Sequence, residues 1–292
     1  MSEEALTYKG TFRDYVILTK PGLVAMVLVT TVTGIYIGHR GMPDAALVFW
    51  TLLGTCLAAC GSTILNNVYD RDIDSLMVRT RSRPMPRGAI RPSAALVSGV
   101  AIILASFFIL SYFVNMLSAL LAMTASVVYV FVYTHLMKRR TPNATVVGGI
   151  SGALPPVIGY ASVTGHITFE AVILFLIMFI WQPSHFWFLS IKYAEDYRRA
   201  NIPAMPVARG ISATKFKILM FNTALFPVSL LPFFYGIAGK IYLITAVCLG
   251  LFYLFLSLRL LFMKEENLFR FFYYSNLYLF TLFSVMMIDA VR

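Results

Sequence analysis

The sequence predicts an all-α, polytopic membrane protein with nine transmembrane helices, a cytoplasmic N-terminus and a C-terminus on the outer side. Of its 292 residues, 59% are hydrophobic and only 13% are charged. The chain contains nine apolar runs, and the length of each is close to that of a helix that crosses a bilayer, about 20 residues. Between these runs, 21 of the 24 lysines and arginines fall on one side of the membrane. The whole chain, 1–292, is therefore expected to be one transmembrane domain.

The charge bias sets the topology. The predicted spans are 16–38, 45–69, 94–114, 116–136, 144–163, 169–191, 214–236, 240–263 and 268–290. Cytoplasmic loops carry an excess of lysine and arginine, and one helix more or fewer would scatter that bias. The start of the chain resembles neither a signal peptide nor a transit peptide. We therefore expect a multi-pass protein of the bacterial inner (cytoplasmic) membrane.

The first five spans carry features of helix packing. Glycines in the first two spans, such as Gly34 and Gly61, allow close helix contacts in lipid. The third and fourth spans join at Asn115 with almost no loop, which predicts a tight hairpin. In the fifth span, Pro155 and Pro156 predict a kinked or locally unwound segment. Such a segment either lines a substrate cavity or packs closely against other helices, and both readings stay open.

The later spans and the cysteines add little chemistry. The sixth span ends in a second charged region, and the last three are apolar with polar ends. Cys56, Cys60 and Cys248 form no C-x-x-C pattern, so they are expected to be buried small apolar side chains.

The most unusual stretch, 66–92, follows the second span and contains three aspartates and six arginines. In a helix, Asn66, Asp70 and Asp74 fall at i, i+4 and i+8 and share one face. Two carboxylates at that spacing repel each other unless a cation lies between them. The second charged region brings Glu195 and Asp196, about 125 residues later, which hints at a weak internal duplication.

These oxygens are of the type that Mg²⁺ prefers, and Mg²⁺ commonly binds substrate phosphates as well. Arg79, Arg83 and Arg87 repeat every four residues, a spacing suited to phosphate oxygens. The stretches 70–93 and 192–213 are accordingly predicted to be cytoplasmic active-site loops around a diphosphate. The alternative is a purely structural network of salt bridges. The cluster Lys138 to Arg140 is either a topology anchor or a further phosphate contact.

The motif N-x-x-x-D-x-x-x-D at Asn66, Asp70 and Asp74 resembles the first signature of the UbiA-type intramembrane prenyltransferases. The stretch 66–84, with P-S-H-F-W at 183–187 and K-Y-A-E-D-Y-R-R-A at 192–200, is similar to one branch, the protohaem IX farnesyltransferases (haem O synthases). The M-x-R-T-x-x-R-P segment, 77–84, is the most discriminating part. The resemblance covers nearly the whole chain.

The resemblance implies Mg²⁺-dependent transfer of a farnesyl group from farnesyl diphosphate to a vinyl group of haem B, with addition of water, giving haem O. Haem B is then a substrate rather than a prosthetic group. The implied metal ligands are Asn66, Asp70, Asp74 and Asp196; the implied diphosphate contacts are Arg79, Arg83, Arg87, Lys192 and Arg198. Asp70, Asp74, Arg79 and Arg83 are the implied catalytic residues. The pattern departs from the family at Ser184, Ala200 and Asn201; Ala200 stands where the wider superfamily has a second aspartate of D-x-x-x-D.

The allylic cation of such a reaction needs a dry pocket with aromatic faces, for which Tyr69, Tyr133, Tyr160 and Phe186 are candidates. His185 is an ionisable residue within a span, and such residues are functional hypotheses by default. It is expected either to bind haem as an axial ligand or to form a hydrogen bond inside the bundle.

Two other functions remain open. One is a UbiA-type prenyltransferase for a quinone precursor or a chlorophyll-like acceptor; the other is a haem transporter or a non-catalytic haem-handling protein. Transporters place ionisable residues near the bilayer midplane, whereas these cluster at one surface. The expected partners are farnesyl diphosphate, haem B, membrane lipids and, as candidates, haem-modifying or terminal oxidase assembly proteins. Nucleic-acid binding is not expected, because the net charge of +11 is explained by topology.

Overall fold

Long apolar helices account for most of the structure, a computed structural model that describes residues 8–41, 43–264 and 268–291. Nine helices in these ranges are long and apolar enough to cross a membrane. They are α2 (Pro21–His39), α3 (Ala45–Tyr69), α5 (Pro92–Phe113), α6 continued by a π-helix (Met116–Met137), α7 (Ala144–Thr164), α8 (Phe169–Lys192), α11 (Ile211–Phe234), α12 (Lys240–Phe262) and α13 (Arg270–Ile288). The predicted all-α fold with nine spans is thus confirmed.

The first span begins later than predicted. A separate short helix, α1 (Phe12–Leu18), precedes it, and the chain turns at Thr19 and Lys20. Lys20 has a left-handed backbone (φ 51°), and Pro21 opens α2 at its first position. Proline disfavours a helical conformation in the residue before it and suits the first turn of a helix. Pro21 therefore explains why the chain is interrupted between α1 and α2.

The fourth span contains a feature that the sequence did not predict. It starts as α6 (Met116–Val127) and continues as a π-helix over Val128–Met137. Asn115 caps α6, because its side chain accepts a hydrogen bond from the Ser118 backbone N–H at 2.8 Å. The wider π turn changes which residues share a face. It brings Tyr129, Tyr133 and Lys138 to one cavity.

The fifth span is not unwound. α7 runs unbroken through Pro155 and Pro156, so of the two predicted forms, kinked or locally unwound, the unwound one was wrong. Close packing against α2 supports the helix: a methyl group on Gly34 would lie 1.9 Å from the Pro156 carbonyl oxygen. One on Gly159 would lie 2.0 Å from the Thr31 carbonyl oxygen. Glycine lets the two backbones approach this closely, and α7 also lines the central cavity.

Three short helices lie in the two predicted active-site loops: α4 (Arg71–Leu76), α9 (Ala194–Arg199) and α10 (Met205–Arg209). The loops pack on each other through a buried apolar cluster of Ile73, Met77, Ala200 and Ile202. The side chain of Ala200, where the superfamily has a carboxylate, is thus part of this packing. The cluster holds the two charged regions together at one end of the bundle.

Candidate active site

A cavity of about 810 Å³ opens among the helices at the end where the two loops meet. Its charged lining residues are Lys20, Asp70, Asp74, Arg79, Arg83 and Lys138. Most of the remaining lining is apolar or aromatic and comes from α2, α3, the fourth span, α7, α8 and α13. The cavity therefore has a cationic group of side chains together with a long apolar surface.

Asn66 and Asp70 lie at the start of the predicted motif and bond to each other. The Asn66 Nδ2 donates to Asp70 Oδ2 at 2.8 Å and to Thr134 Oγ1 at 3.0 Å. Lys138 Nζ donates to the same Asp70 oxygen at 2.5 Å. The other oxygen, Oδ1, is buried without a hydrogen-bond partner among the described residues. Although α3 ends at Tyr69, the backbone bond from the Asp74 N–H to the Asp70 carbonyl (2.8 Å) continues the helical register.

Two lysines hold the motif in place. Lys20 Nζ donates to Asn66 Oδ1 at 2.6 Å. Burial, together with the neighbouring cations Arg83 and Lys138, lowers the pKa of Lys20 to about 7, although Asp70 and Asp74 oppose this. Burial also acts to lower the pKa of Lys138, but the Asp70 carboxylate outweighs it and raises that pKa above its ordinary value. Lys138 is thus a firmly charged partner of Asp70.

Asp74 and Asp196 each hold the loop of residues 77–91 that follows α4, called the arginine loop below. Arg83 donates to Asp74 Oδ2 at 2.8 Å, and the Thr80 hydroxyl donates to the Asp74 carbonyl oxygen at 2.9 Å. Asp196 accepts from the backbone N–H groups of Val78 and Arg79, both at 3.1 Å. The two charged regions therefore contact each other, and the carboxylate of Asp196 is engaged with the backbone of the loop.

The guanidinium of Arg79 lies over a ring of the second loop. Its Cζ is 4.7 Å from the Tyr193 ring centroid, a cation–π distance. Its Nε is buried and has no hydrogen-bond partner among the described residues. Arg79 lines the cavity, which makes its guanidinium a candidate contact for a bound anion.

The structure does not bring three predicted diphosphate contacts to the cavity. Arg87 forms an ion pair with Asp14 just before the first span. Arg198 is 62% exposed and pairs with Glu195. Lys192 lies over the Phe269 ring, with 3.4 Å between its Nζ and the ring centroid. Spacing alone misplaced Arg87 because the chain from 77 to 91 forms turns rather than a continuous helix.

Some of the predicted metal ligands suit a metal ion better than others. Among the described residues, no group of three or more His, Cys, Asp and Glu side chains stands ready to hold one. Asn66, Asp70 and Asp74, which carry amide and carboxylate oxygens, still line the cavity, and Asp70 Oδ1 is buried without a hydrogen-bond partner among the described residues. Such oxygens suit Mg²⁺, which completes its shell with water and phosphate. Asp196 fits less well, since both of its oxygens accept backbone bonds.

Cavity residues that sequence reasoning missed include Lys20 and Tyr129, while Lys138 was left undecided. Lys20 precedes Pro21, whose helix-start signal was available in the sequence. Tyr129, like Lys138, faces the cavity because of the π-helix, which no local sequence pattern predicts. Of the aromatic candidates, Tyr133 and Phe186 line the cavity. Tyr69 instead packs at the surface beside His135, and Tyr160 accepts a hydrogen bond from Thr168, away from the cavity lining.

His185 lines the same cavity on α8. Its Nδ1 is 2.6 Å from Ser275 Oγ on α13, so a hydrogen bond inside the bundle is present. Its ring stacks between Trp181 and Phe272, with centroid distances of 4.4 and 4.3 Å. One wall of the cavity is therefore a rigid aromatic group that carries an imidazole.

Residues 27–282 match the UbiA prenyltransferase family, to which the chain therefore belongs. It is a membrane-spanning prenyltransferase. Similar relatives are protoheme IX farnesyltransferases. That of Aquifex aeolicus (strain VF5) is 49% identical over 292 residues, all of both chains. That of Neorickettsia sennetsu (strain ATCC VR-367 / Miyayama) is 42% identical over 282 residues, 96% of this chain and 93% of the relative.

Solved structures with the same fold have low sequence identity to this chain. A digeranylgeranylglyceryl phosphate synthase superposes with a TM-score of 0.80 at 17% identity, covering 96% of this chain and 98% of the other. A UbiA homolog from Archaeoglobus fulgidus bound to DMAPP and Mg²⁺ has a TM-score of 0.67 at 18% identity, covering 94% and 99%. These likenesses establish the fold.

Proposed function

We propose that this enzyme transfers the farnesyl group of farnesyl diphosphate to a vinyl group of haem B, with addition of water, to give haem O. The observation that carries the proposal is the single cavity whose lining joins a cationic group of side chains to an apolar surface and an imidazole. An allylic diphosphate likewise joins an anionic head group to an apolar chain. The choice of haem B as the acceptor is inferred from the relatives, which are protoheme IX farnesyltransferases.

The cationic side chains bind the leaving group. Lys20, Arg79, Arg83 and Lys138 donate to the diphosphate oxygens, and charge-assisted hydrogen bonds of this kind are the strong ones. As the allylic C–O bond breaks, its electron pair leaves with the diphosphate, whose growing charge these fixed donors stabilise. Arg87, Lys192 and Arg198 are left out of this role because of their positions.

The apolar wall controls the fate of the cation. Tyr129, Tyr133 and Phe186 turn aromatic side chains toward the cavity, and such faces stabilise a carbocation while excluding water. The vinyl π electrons form the new C–C bond, which leaves a positive charge on the vinyl carbon next to the porphyrin. Water adds to that carbon and loses a proton to solvent. The vinyl group has no acidic proton to lose, so no strong general base is required.

Mg²⁺ would be held by Asn66, Asp70 and Asp74 and would neutralise charge on the diphosphate when bound. The proposal is supported by the presence of these three residues in the lining of the cavity that also contains the cationic donors. We assign Asp196 to the support of the arginine loop, because both of its carboxylate oxygens accept loop N–H groups.

The cellular setting follows from the positive-inside rule. The two loops, 70–93 and 192–213, and the N-terminus face the cytoplasm, with the C-terminus outside, in a bacterial inner membrane. The diphosphate then comes from the aqueous side, while the farnesyl chain and haem B lie in the bundle. Proteins that modify haem further or assemble terminal oxidases are the candidate partners.

The test is product analysis. Purified enzyme in lipid nanodiscs is supplied with haem B, farnesyl diphosphate and Mg²⁺, and haem O is sought by chromatography and mass spectrometry. Asp70→Asn should lose most turnover, whereas Asp72→Asn, whose partner Arg139 is at the surface, should keep it. A prenylated aromatic acceptor in place of haem O would favour the quinone or chlorophyll alternative. Unchanged haem handling by Asp70→Asn would favour a carrier.

A further inference from the structure

Ser275 of α13 holds two neighbouring rings of α8 at once. Its hydroxyl oxygen lies 2.6 Å from His185 Nδ1, and its backbone carbonyl accepts a hydrogen bond from Trp181 Nε1 at 2.9 Å. Trp181 in turn stacks on the His185 ring, with planes inclined by 20°. Ser275 itself is completely buried. One residue therefore determines both the edge contact and the face contact of the imidazole.

The protons of this cluster can be counted. Ser275 Oγ also lies 3.0 Å from the Phe272 carbonyl oxygen, which can only accept. Each proton is used once if His185 Nδ1–H donates to Ser275 and the serine hydroxyl donates to Phe272. The contacts of Ser275 Oγ with His185 and with the Phe272 carbonyl oxygen both carry a proton only in the Nδ1–H tautomer of His185, which is the tautomer that we infer. Its Nε2 then carries a lone pair, and no hydrogen bond to Nε2 is formed by any residue that the structure describes.

The free nitrogen belongs to a residue of the cavity wall. His185 lines the cavity with Trp181 and Phe272, whose rings cover its two faces. A ring stacked on both faces and bonded at Nδ1 has little freedom to rotate. A neutral imidazole whose second nitrogen is fixed by a hydrogen bond is the usual form of a metal-ligating histidine.

We propose that Ser275 is a positioning residue for the haem acceptor: it fixes His185 in the tautomer whose Nε2 ligates the haem iron, which orients the porphyrin in the cavity. The inference rests on the proposed function, since it takes haem B as the molecule that enters. It adds a residue of α13, 90 positions along the chain from the ligand, to the determinants of acceptor binding.

The experiment is a spectroscopic titration of the full-length protein in nanodiscs with haem B, without farnesyl diphosphate. The wild-type protein is expected to give the Soret and visible bands of histidine-ligated haem. His185→Gln should abolish these bands, and added imidazole should restore them. Ser275→Ala should keep the ligated bands but weaken haem binding by about tenfold, as loss of a ligand-orienting hydrogen bond typically does. The matched control is Ser229→Ala, another fully buried serine that donates to its i−3 carbonyl oxygen, away from the cavity lining.

Two results would overturn the inference while leaving the proposed function intact. One is haem O formation by the wild-type protein together with unchanged haem bands in His185→Gln. The other is a haem affinity of Ser275→Ala equal to that of Ser229→Ala. Absence of haem O from the wild-type reaction would instead overturn the proposed function, and the inference with it. Monodisperse elution on size exclusion confirms that each variant is folded before titration.

Discussion

Two ion pairs link the connection after the fourth span to aspartates of the stretch 66–92, and they differ in exposure. Lys138 and Asp70 are 15% and 3% exposed, whereas Arg139 and Asp72 are 39% and 64% exposed. The N–O distances, 2.5 and 2.6 Å, are almost equal. The neighbouring pair is therefore an exposed comparison for the buried one, although Arg139 binds both Asp72 oxygens and Lys138 binds one oxygen of Asp70.

Removal of one partner from a buried pair leaves an uncompensated charge, which costs about 3–5 kcal/mol. Exposed pairs contribute about 0.2–1 kcal/mol. Because Lys138 keeps some contact with the cavity, we expect Lys138→Met to lower the free energy of unfolding by about 3 kcal/mol, at the low end of that range. Adding Asp70→Asn should recover much of the loss. Arg139→Met should cost no more than about 1 kcal/mol.

The assay is a double-mutant cycle for each pair, with reversible denaturation in mixed micelles at pH 7. Both pairs are fully formed there. The pKa of Asp72 is lowered, chiefly by its hydrogen bond to Arg139, so its contribution is complete above the ordinary carboxyl pKa and is lost as the pH falls through the lowered value. The raised pKa of Lys138 keeps its contribution until the pH rises through that value. Equal coupling energies for the two pairs would refute this reasoning.

Three further predictions concern packing, arginine support and the N-terminal segment. Gly159→Ala should destabilise the bundle, because its methyl group would lie 2.0 Å from a carbonyl oxygen of α2, whereas Gly22→Ala, with no atom within 4 Å, should be tolerated; thermal unfolding measures both. Tyr193→Leu should raise the KM for farnesyl diphosphate about 2- to 30-fold, from a cation–π contact of about 0.5–2 kcal/mol, whereas Tyr193→Phe should not. The pKa of Asp14 is lowered by its Thr11 hydrogen bonds and by Arg87. Protection of the N-terminal segment, helix α1 (Phe12–Leu18), from proteolysis should therefore be full above the ordinary carboxyl pKa and be lost as the pH falls through the lowered value.

Each prediction has a clear contrary result. Equal melting temperatures for the two glycine variants would mean that α2 and α7 can separate freely. A KM increase in Tyr193→Phe would assign the effect to the hydroxyl rather than to the ring face. A proteolysis rate that does not change with pH, or that is unaltered in Asp14→Asn, would remove the Asp14–Arg87 pair from the support of this segment.

The number and order of the spans could be predicted because both depend on local properties. A bilayer imposes a minimum apolar length, and the lysine and arginine bias marks one side of each span. The behaviour of individual helices was less accessible. Pro155 and Pro156 suggested a kink or unwinding. Close packing of α7 against α2 offsets the helix destabilisation by the two prolines, and no local sequence pattern reveals that packing. The π-helix at Val128–Met137 likewise depends on tertiary contacts.

The residues of the candidate site likewise fall into those that the sequence could place and those that it could not. Asn66, Asp70 and Asp74 share a helical register, so their common face followed from spacing. Arg87 broke the apparent four-residue repeat because its segment forms turns, and its partner lies 73 positions earlier at Asp14. Lys20 reaches the site from the N-terminal side of another span. Contacts across long separations decide these roles, and spacing carries no information about them.

The charges of the cavity explain why its carboxylates should not act as a metal site on their own. Three cationic side chains, Arg79, Arg83 and Lys138, and two anionic ones, Asp70 and Asp74, line it together with Lys20. Burial first, and then Arg83 and Lys138, lower the pKa of Lys20 to about 7. Lys138 and Arg83 already neutralise Asp70 and Asp74, so a divalent ion alone would have to displace them. A diphosphate instead attracts those cations and frees the carboxylate oxygens, so each ligand should strengthen the binding of the other. In the proposed mechanism, the cation pairs that disfavour a metal alone should therefore couple the binding of Mg²⁺ to that of the prenyl diphosphate.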